Sequence, residues 1–344
     1  MSLDGTQGVR FGVALQGVDP PGEFTQLVLD IEKWGFDQLW LTDSSLHARY
    51  VYSYLTLAAT VTAKLSIGTS VTNPATRHPA MNALAIATID EISGGRAALG
   101  IGAGDRPLLS LGLHPAKVSE LRDTVEASRR LFRGESVTMS SSAFSLKDAR
   151  LHFAARAGIP IYLSASGPRI LELAGEVADG VIVLAGLFPE AIAYALSHIR
   201  AGAERAHRPA PVVTTFMYGS LREDEELAVT EARSIAAWFC QTAPHYCNLG
   251  GMPEETCRRV RAAYQGGEFQ EAAAASRFIA GEVVKKVALA GSPEYGRQKV
   301  QMLIDAGVRS IVIFPLGPDR RQVIETFAHE VMPFFTHEQT VVPH

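Results

Sequence analysis

The sequence predicts an α/β fold, a single (β/α)8 barrel, on three observations. Eight short apolar segments alternate with amphipathic helical stretches along most of the chain. The turn after the first segment, Gln16-Gly17-Val18-Asp19-Pro20-Pro21, lacks the glycine pattern that opens a dinucleotide-binding open sheet. Of the 344 residues, 47% are hydrophobic and only 20% charged, as a ring of buried parallel strands demands.

The first strand is expected at Arg10–Leu15, closed by Gly17 and the Asp19-Pro20-Pro21 turn. Phe24, Leu27, Val28, Ile31 and Trp34 then recur on one helical face, which Gly35 ends. Gln38–Thr42 is the second strand and Tyr54–Ala63 its helix. Leu65–Val71 is the third, followed by a helix over Pro79–Ile92 that opens on proline. Arg96–Ile101 is the fourth, and Leu121, Val125, Leu131 and Phe132 mark the helix after it. Between 136 and 158 the rhythm breaks, and Val137–Phe153 suggests a hairpin or an irregular insertion. Ile159–Ser164 is the fifth strand, with a helix from Pro168. Gly180–Leu184 is the sixth, with a helix over Pro189–Ala206, and Val212–Tyr218 the seventh, with a helix from Asp224. Residues 240–285 form a second insertion, rich in Cys, Gly and Ala. A helix over Tyr295–Ala306, an eighth strand at Arg309–Phe314 and a helix over Arg321–Phe335 complete one domain spanning 10–335.

Thirty-two Lys and Arg against 36 Asp and Glu leave a net charge of −4, too acidic for a nucleic-acid footprint. No apolar run reaches about 18 residues, and the segment around Asp4 has no apolar leader core. A cytoplasmic protein without a membrane partner is therefore expected. Cys240, Cys247 and Cys257 are a sparse, odd set at spacings of seven and ten, which fits neither a disulfide framework nor paired zinc ligands. Buried or incidental thiols are expected.

A barrel presents its chemistry at the C-terminal ends of its strands. The second strand ends on Thr42-Asp43-Ser44 and the third on Thr69-Ser70-Val71-Thr72-Asn73-Pro74. The fourth ends on Gly100-Ile101-Gly102-Ala103-Gly104-Asp105 and the fifth on Ser164-Ala165-Ser166-Gly167-Pro168. Small residues ahead of a helix let backbone N–H groups approach an anion, so this last end is a candidate phosphate cradle. The same residues also suit an ordinary helix start. Asp105, delivered by a glycine-rich loop, is a candidate general acid or substrate anchor, or else a helix cap or a partner of Arg106. Asp43 is a second such carboxylate, or else a loop residue satisfying backbone donors. Arg77-His78-Pro79 is expected to cap and pack the third helix. Rival chemistries lack their residues: no His-x-His follows the first strand, and there is no Gly-x-Ser-x-Gly elbow, Walker-type loop or strand lysine. No metal site is expected, whereas a phosphate-bearing cofactor is.

Taken in order, these strand ends resemble the bacterial luciferase-like superfamily, and within it the coenzyme F420-dependent methylenetetrahydromethanopterin reductase-like branch. The resemblance runs through Phe11-Gly12-Val13, Gly35-Phe36-Asp37-Gln38-Leu39-Trp40-Leu41-Thr42-Asp43 and Gly68 to Pro79. It continues through Gly100 to Asp105, Ala165-Ser166-Gly167-Pro168 and Leu173 to Gly180, with Gly291-Ser292-Pro293 through Phe314 also similar. It implies a luciferase-like barrel that holds coenzyme F420, or alternatively FMN, at the strand C-termini. Ser70-Val71 would be a non-prolyl cis peptide in a third-strand bulge, supporting the cofactor ring from behind. Asp43, Ser70, Val71, Thr72, Asn73 and Gly104 would contact the cofactor, and Ala165, Ser166, Gly167 and Pro168 would take its phosphate. Asp105 and Asp43 would be the catalytic carboxylates, with Asp105 as proton donor or substrate anchor. Two positions depart from the pattern. Ser44 stands where many deazaflavin enzymes carry His, which points away from a sugar phosphate. Ala14 stands where the reductases carry Glu, which points away from the pterin itself.

The resulting expectation is an oxidoreductase moving hydride between coenzyme F420 and a small unsaturated or carbonyl-like molecule. An FMN- and oxygen-dependent monooxygenase is the alternative, and a non-catalytic flavin-binding relative the third reading. A homodimer or higher homo-oligomer is expected, with the uncharged Tyr54–Ala63 helix suited to an interface.

Overall fold

The computed structural model describes residues 8–264 and 269–336. Its strands are β1 (Arg10–Gln16), β2 (Gln38–Thr42), β3 (Ser66–Thr69), β4 (Ala97–Ile101), β5 (Val137–Ser140), β6 (Ser145–Ala149), β7 (Ile161–Ala165), β8 (Gly180–Val183), β9 (Val212–Leu221), β10 (Leu289–Gly291) and β11 (Ser310–Pro315). Eight of them, β1, β2, β3, β4, β7, β8, β9 and β11, pair in parallel in that order. The β8–β9 ladder and the β11–β1 ladder close the ring. This is the predicted (β/α)8 barrel.

The barrel interior is plugged by Ala14, Trp40, Ala98, Ile182, Phe216, Val312 and Phe314, which pack as one buried cluster. Small residues, Ala14, Gly68 and Ala98, surround the Trp40 indole because its bulk needs the neighbouring strands to recede. Gly68 on β3 shows the constraint: a Cβ there would stand 2.6 Å from the Trp40 ring. The indole N–H of Trp40 donates to Gln38 Oε1 at 3.0 Å, and Gln38 Nε2 donates to Ser310 Oγ at 2.9 Å. A buried polar layer beneath the plug is thereby satisfied, as burial of such groups requires.

The helix over Pro79–Ile92 matches its expectation at both ends. Other boundaries shift. The second helix runs Val51–Val61, and Tyr52, Tyr54, Leu55, Ala58 and Ala59 are buried within the chain itself. Its apolar side therefore serves the core, which removes it as an argument for an interface. The first insertion is a hairpin, β5 antiparallel to β6. The second, unassigned in the sequence, folds as short helices over Pro244–Leu249, Glu254–Ala263, Phe269–Ser276 and Gly281–Val287. β10 extends β9 beyond the ring through Leu289 against Gly219. The last helix breaks into Arg320–Thr326, a π-helical turn over Phe327–Val331, and Pro333–Thr336. Among the described residues, no helix is long and apolar enough to cross a membrane.

Candidate active site

A cavity of about 1340 Å³, counted with its open mouth, lies at the C-terminal ends of the barrel strands. Ile182, Phe216 and Phe314 of the interior plug form its floor. Of the residues expected there, Asp43, Ser70, Val71 and Asn73 line one part of the wall, and Gly104, Asp105, Ser166 and Gly167 another. Four strand ends far apart in sequence thus converge. Thr72, Ala165 and Pro168 are not in the lining. Thr72 is fully buried behind the wall, and Ala165 belongs to the buried end of β7.

The Ser70-Val71 peptide is cis. The chain then re-enters the barrel edge, where Thr72 bridges to Ile101. Gly102 is required beside it, because a Cβ there would stand 2.5 Å from Val71 Cγ2. Ser70 Oγ is buried without a hydrogen-bond partner, an orphan on the cavity wall. Asn73 spends its side-chain oxygen on its own loop, accepting from Ala75 N at 3.0 Å and Thr76 N at 2.8 Å.

Asp43 does not satisfy loop backbone donors. Arg77 clamps it with both terminal nitrogens, one of them at 2.8 Å, and Thr72 Oγ1 donates to the same carboxylate at 2.8 Å. The two charged side chains are only 4% and 14% exposed. The Arg77 guanidinium also lies over the rings of Tyr50 and Tyr52, 4.9 and 5.2 Å from their centroids. Burial works against its charge, but the hydrogen bonds and charge of Asp43 prevail and drive its pKa up. The expectation that Arg77-His78-Pro79 caps and packs the third helix holds at His78, whose Nδ1 accepts from Ala80 N, whereas Arg77 turns instead to Asp43. Asp105 is exposed at the mouth and precedes the Arg106–Ser110 helix without a side-chain cap bond to it.

The sequence model of the family described as luciferase-like monooxygenase matches residues 5–310. The chain belongs to the luciferase-like monooxygenase family. Its relatives include a 5,10-methylenetetrahydromethanopterin reductase of Archaeoglobus fulgidus, 34% identical over 88% of this chain and 92% of that one. An F420-dependent glucose-6-phosphate dehydrogenase of Microbacterium testaceum is 29% identical, over 91% and 93% of the two chains. The solved coenzyme F420-dependent tetrahydromethanopterin reductase of Methanopyrus kandleri superposes with a TM-score of 0.84 at 29% identity, covering 96% of this chain and all of the other.

In this luciferase-like chain, sequence reading missed the residues that support the β7 loop. His245 Nε2 lies 3.0 Å from the Ser166 carbonyl and Tyr246 Oη donates to the same oxygen at 3.1 Å. A carbonyl can only accept, so the imidazole carries its proton on Nε2. Burial lowers the His245 pKa. Ser166 Oγ donates to the Leu184 carbonyl at 3.1 Å. Trp238 and Thr242, from the Glu225–Thr242 helix, supply another wall. No local motif marks these residues. Trp238 and Thr242 reach the cavity from the Glu225–Thr242 helix, whereas His245 and Tyr246 act from behind it, through the Ser166 carbonyl.

Proposed function

We propose that this chain is a coenzyme F420-dependent oxidoreductase that transfers hydride between the deazaflavin and a small organic substrate at the barrel mouth. The observation that carries the proposal is a matched pair of features in one cavity. On one wall the buried Ser70 hydroxyl lacks a partner; on another the Pro168–Val177 helix opens on Gly167 with no side chain capping it. A Cβ at Gly167 would meet nothing within 4 Å, so an anion has room to reach the first backbone N–H groups. These residues fit a phosphate-bearing ring cofactor, and they fit one held without lysine. Support for F420 over FMN comes from the relatives, among them two F420-dependent enzymes at 29% identity.

When bound, the deazaflavin supplies or accepts the hydride. The chain's own part is orientation. Ser70, Val71 and Asn73 would back the ring, Gly104 would leave it room, and Ser166 and Gly167 would hold the phosphate. Asp105 is our proton donor or substrate anchor, since it stands exposed at the mouth. Asp43 has both oxygens engaged by Arg77 and Thr72, so we assign it to positioning the wall rather than to proton transfer. Ala14 is buried in the interior plug and Ser44 lines the cavity. Neither supplies a carboxylate or an imidazole, which favours a substrate other than a pterin or a sugar phosphate, reacting at an unsaturated or carbonyl-like group. Three free cysteines accord with a cytoplasmic setting. The exposure of Leu46 and Tyr50 after β2, 75% and 55%, supports a homodimer or higher oligomer, which sedimentation would test.

The deciding experiment titrates the protein with F420 and with FMN side by side, followed by tryptophan fluorescence. Saturable F420 binding without FMN binding is expected. FMN binding alone, with oxygen consumption, would replace this reading by the monooxygenase.

A further inference from the structure

The insertion after β9 holds a second cluster of reactive side chains that the proposed redox chemistry does not use. Cys240 lies in the Glu225–Thr242 helix, Cys247 in the Pro244–Leu249 helix and Cys257 in the Glu254–Ala263 helix. Three helices therefore bring one thiol each to a common point. The Sγ atoms lie within 4.8 Å of one another, and all three residues are buried. A fourth sulfur completes the group: Met252 Sδ is 3.2 Å from Cys240 Sγ and 3.3 Å from Cys257 Sγ. Cys240 and Cys247 are 3.9 Å apart.

With a metal–thiolate bond of about 2.3 Å, neighbouring sulfurs of a tetrahedral site stand about 3.8 Å apart, and those of a trigonal site about 4.0 Å. Moving each sulfur by about 0.5 Å or less brings the three thiols, and Met252 against Cys240 and Cys257, into that range. The donor set is all sulfur, and one donor is a thioether. Zinc draws its ligands from thiolate, imidazole and carboxylate, whereas soft d10 ions accept thioether as well.

We propose that Cys240, Cys247, Cys257 and Met252 form a binding site for a soft monovalent cation, Cu(I). Metal ligation by cysteine is through the thiolate, so loading the site displaces thiol protons. The exposed Gly251 and Pro253 flank Met252 and provide the way in. The helix that carries Cys247 also carries His245 and Tyr246, so a bound ion ties the cluster to the support of the β7 loop.

The test is an anaerobic titration of the reduced full chain with Cu(I) against a chromophoric Cu(I) chelator, with Zn2+ against a zinc indicator in parallel. One Cu(I) per chain, released protons and weaker Zn2+ binding are expected. Met252→Leu preserves volume and apolarity, so circular dichroism should be unchanged while Cu(I) affinity falls about tenfold or more. Cys257→Ser should lower it further. Failure to take one Cu(I) from the chelator overturns the proposal, as does preference for Zn2+ or unchanged Cu(I) affinity in folded Met252→Leu. None of these results depends on F420 binding or turnover.

Discussion

Arg77→Met tests the wall of the cavity without needing any cofactor. It deletes the cation that neutralises Asp43 and keeps an unbranched stem of similar reach. Asp43 would be left with the Thr72 hydroxyl alone, its side chain 4% exposed. Removing one partner of a buried ion pair costs about 3–5 kcal/mol, because the remaining charge stays out of water. The lost contacts with the Tyr50 and Tyr52 rings add about 0.5–1 kcal/mol each. Against a typical unfolding free energy of about 5–15 kcal/mol, this is a large fraction of stability. Equilibrium urea unfolding reads it directly. Asp43→Asn in the same chain removes the orphaned charge, so the double variant should be more stable than Arg77→Met alone. A loss in Arg77→Met of no more than about 1 kcal/mol, as for an exposed pair, would refute the reasoning.

Four further outcomes follow from the geometry. Gly102→Ala drives a Cβ into Val71 and should weaken F420 binding by tenfold or more, by about the 1.4 kcal/mol that equals a factor of ten. Gly167→Ala, at φ −80, should leave unfolding unchanged or raise stability by about 0.4–1 kcal/mol while weakening F420 binding. Fluorescence titration and urea unfolding separate the two effects. Asp105→Asn should lower kcat by about 10²–10⁴-fold and leave the F420 Kd nearly unchanged; unaltered turnover would remove it from the chemistry. His245 has its folded pKa below the ordinary 6.5, so the folded protein binds fewer protons there than the unfolded chain. Its contribution is present above about pH 6.5 and is lost as pH falls through the lowered value. Stability should decline on acidification from about pH 6.5 down to the lowered value, and the decline should shrink in His245→Gln, as thermal melts across pH would show.

Much of the barrel was legible because strand and helix periods are local. Pro79 opening a helix and apolar runs such as Ile161–Ala165 are set by neighbours a few residues away. The strand ends were legible for the same reason: once a strand is placed, its terminal loop is placed. The helix over Val51–Val61 starts earlier than the sequence suggests, since its N-cap is Tyr50, which makes no side-chain cap bond and carries no start signal. The 240–285 insertion was unreadable because its short helices take their shape from packing on the Glu225–Thr242 helix.

The acidic, weakly charged composition and the ordered small-residue strand ends determined the fold and the family by themselves, as they need no contact beyond each element and its loop. Tertiary structure alone decided what those ends face. Arg77 reaches Asp43 across 34 residues, and His245 reaches Ser166 across 79. Three thiols at uninformative spacings meet around one methionine. Such pairings have no period in the chain. They exist only where folding carries separate elements together, so the low charge that describes the whole molecule leaves two carboxylates lining the cavity at the barrel mouth, one already neutralised and one exposed.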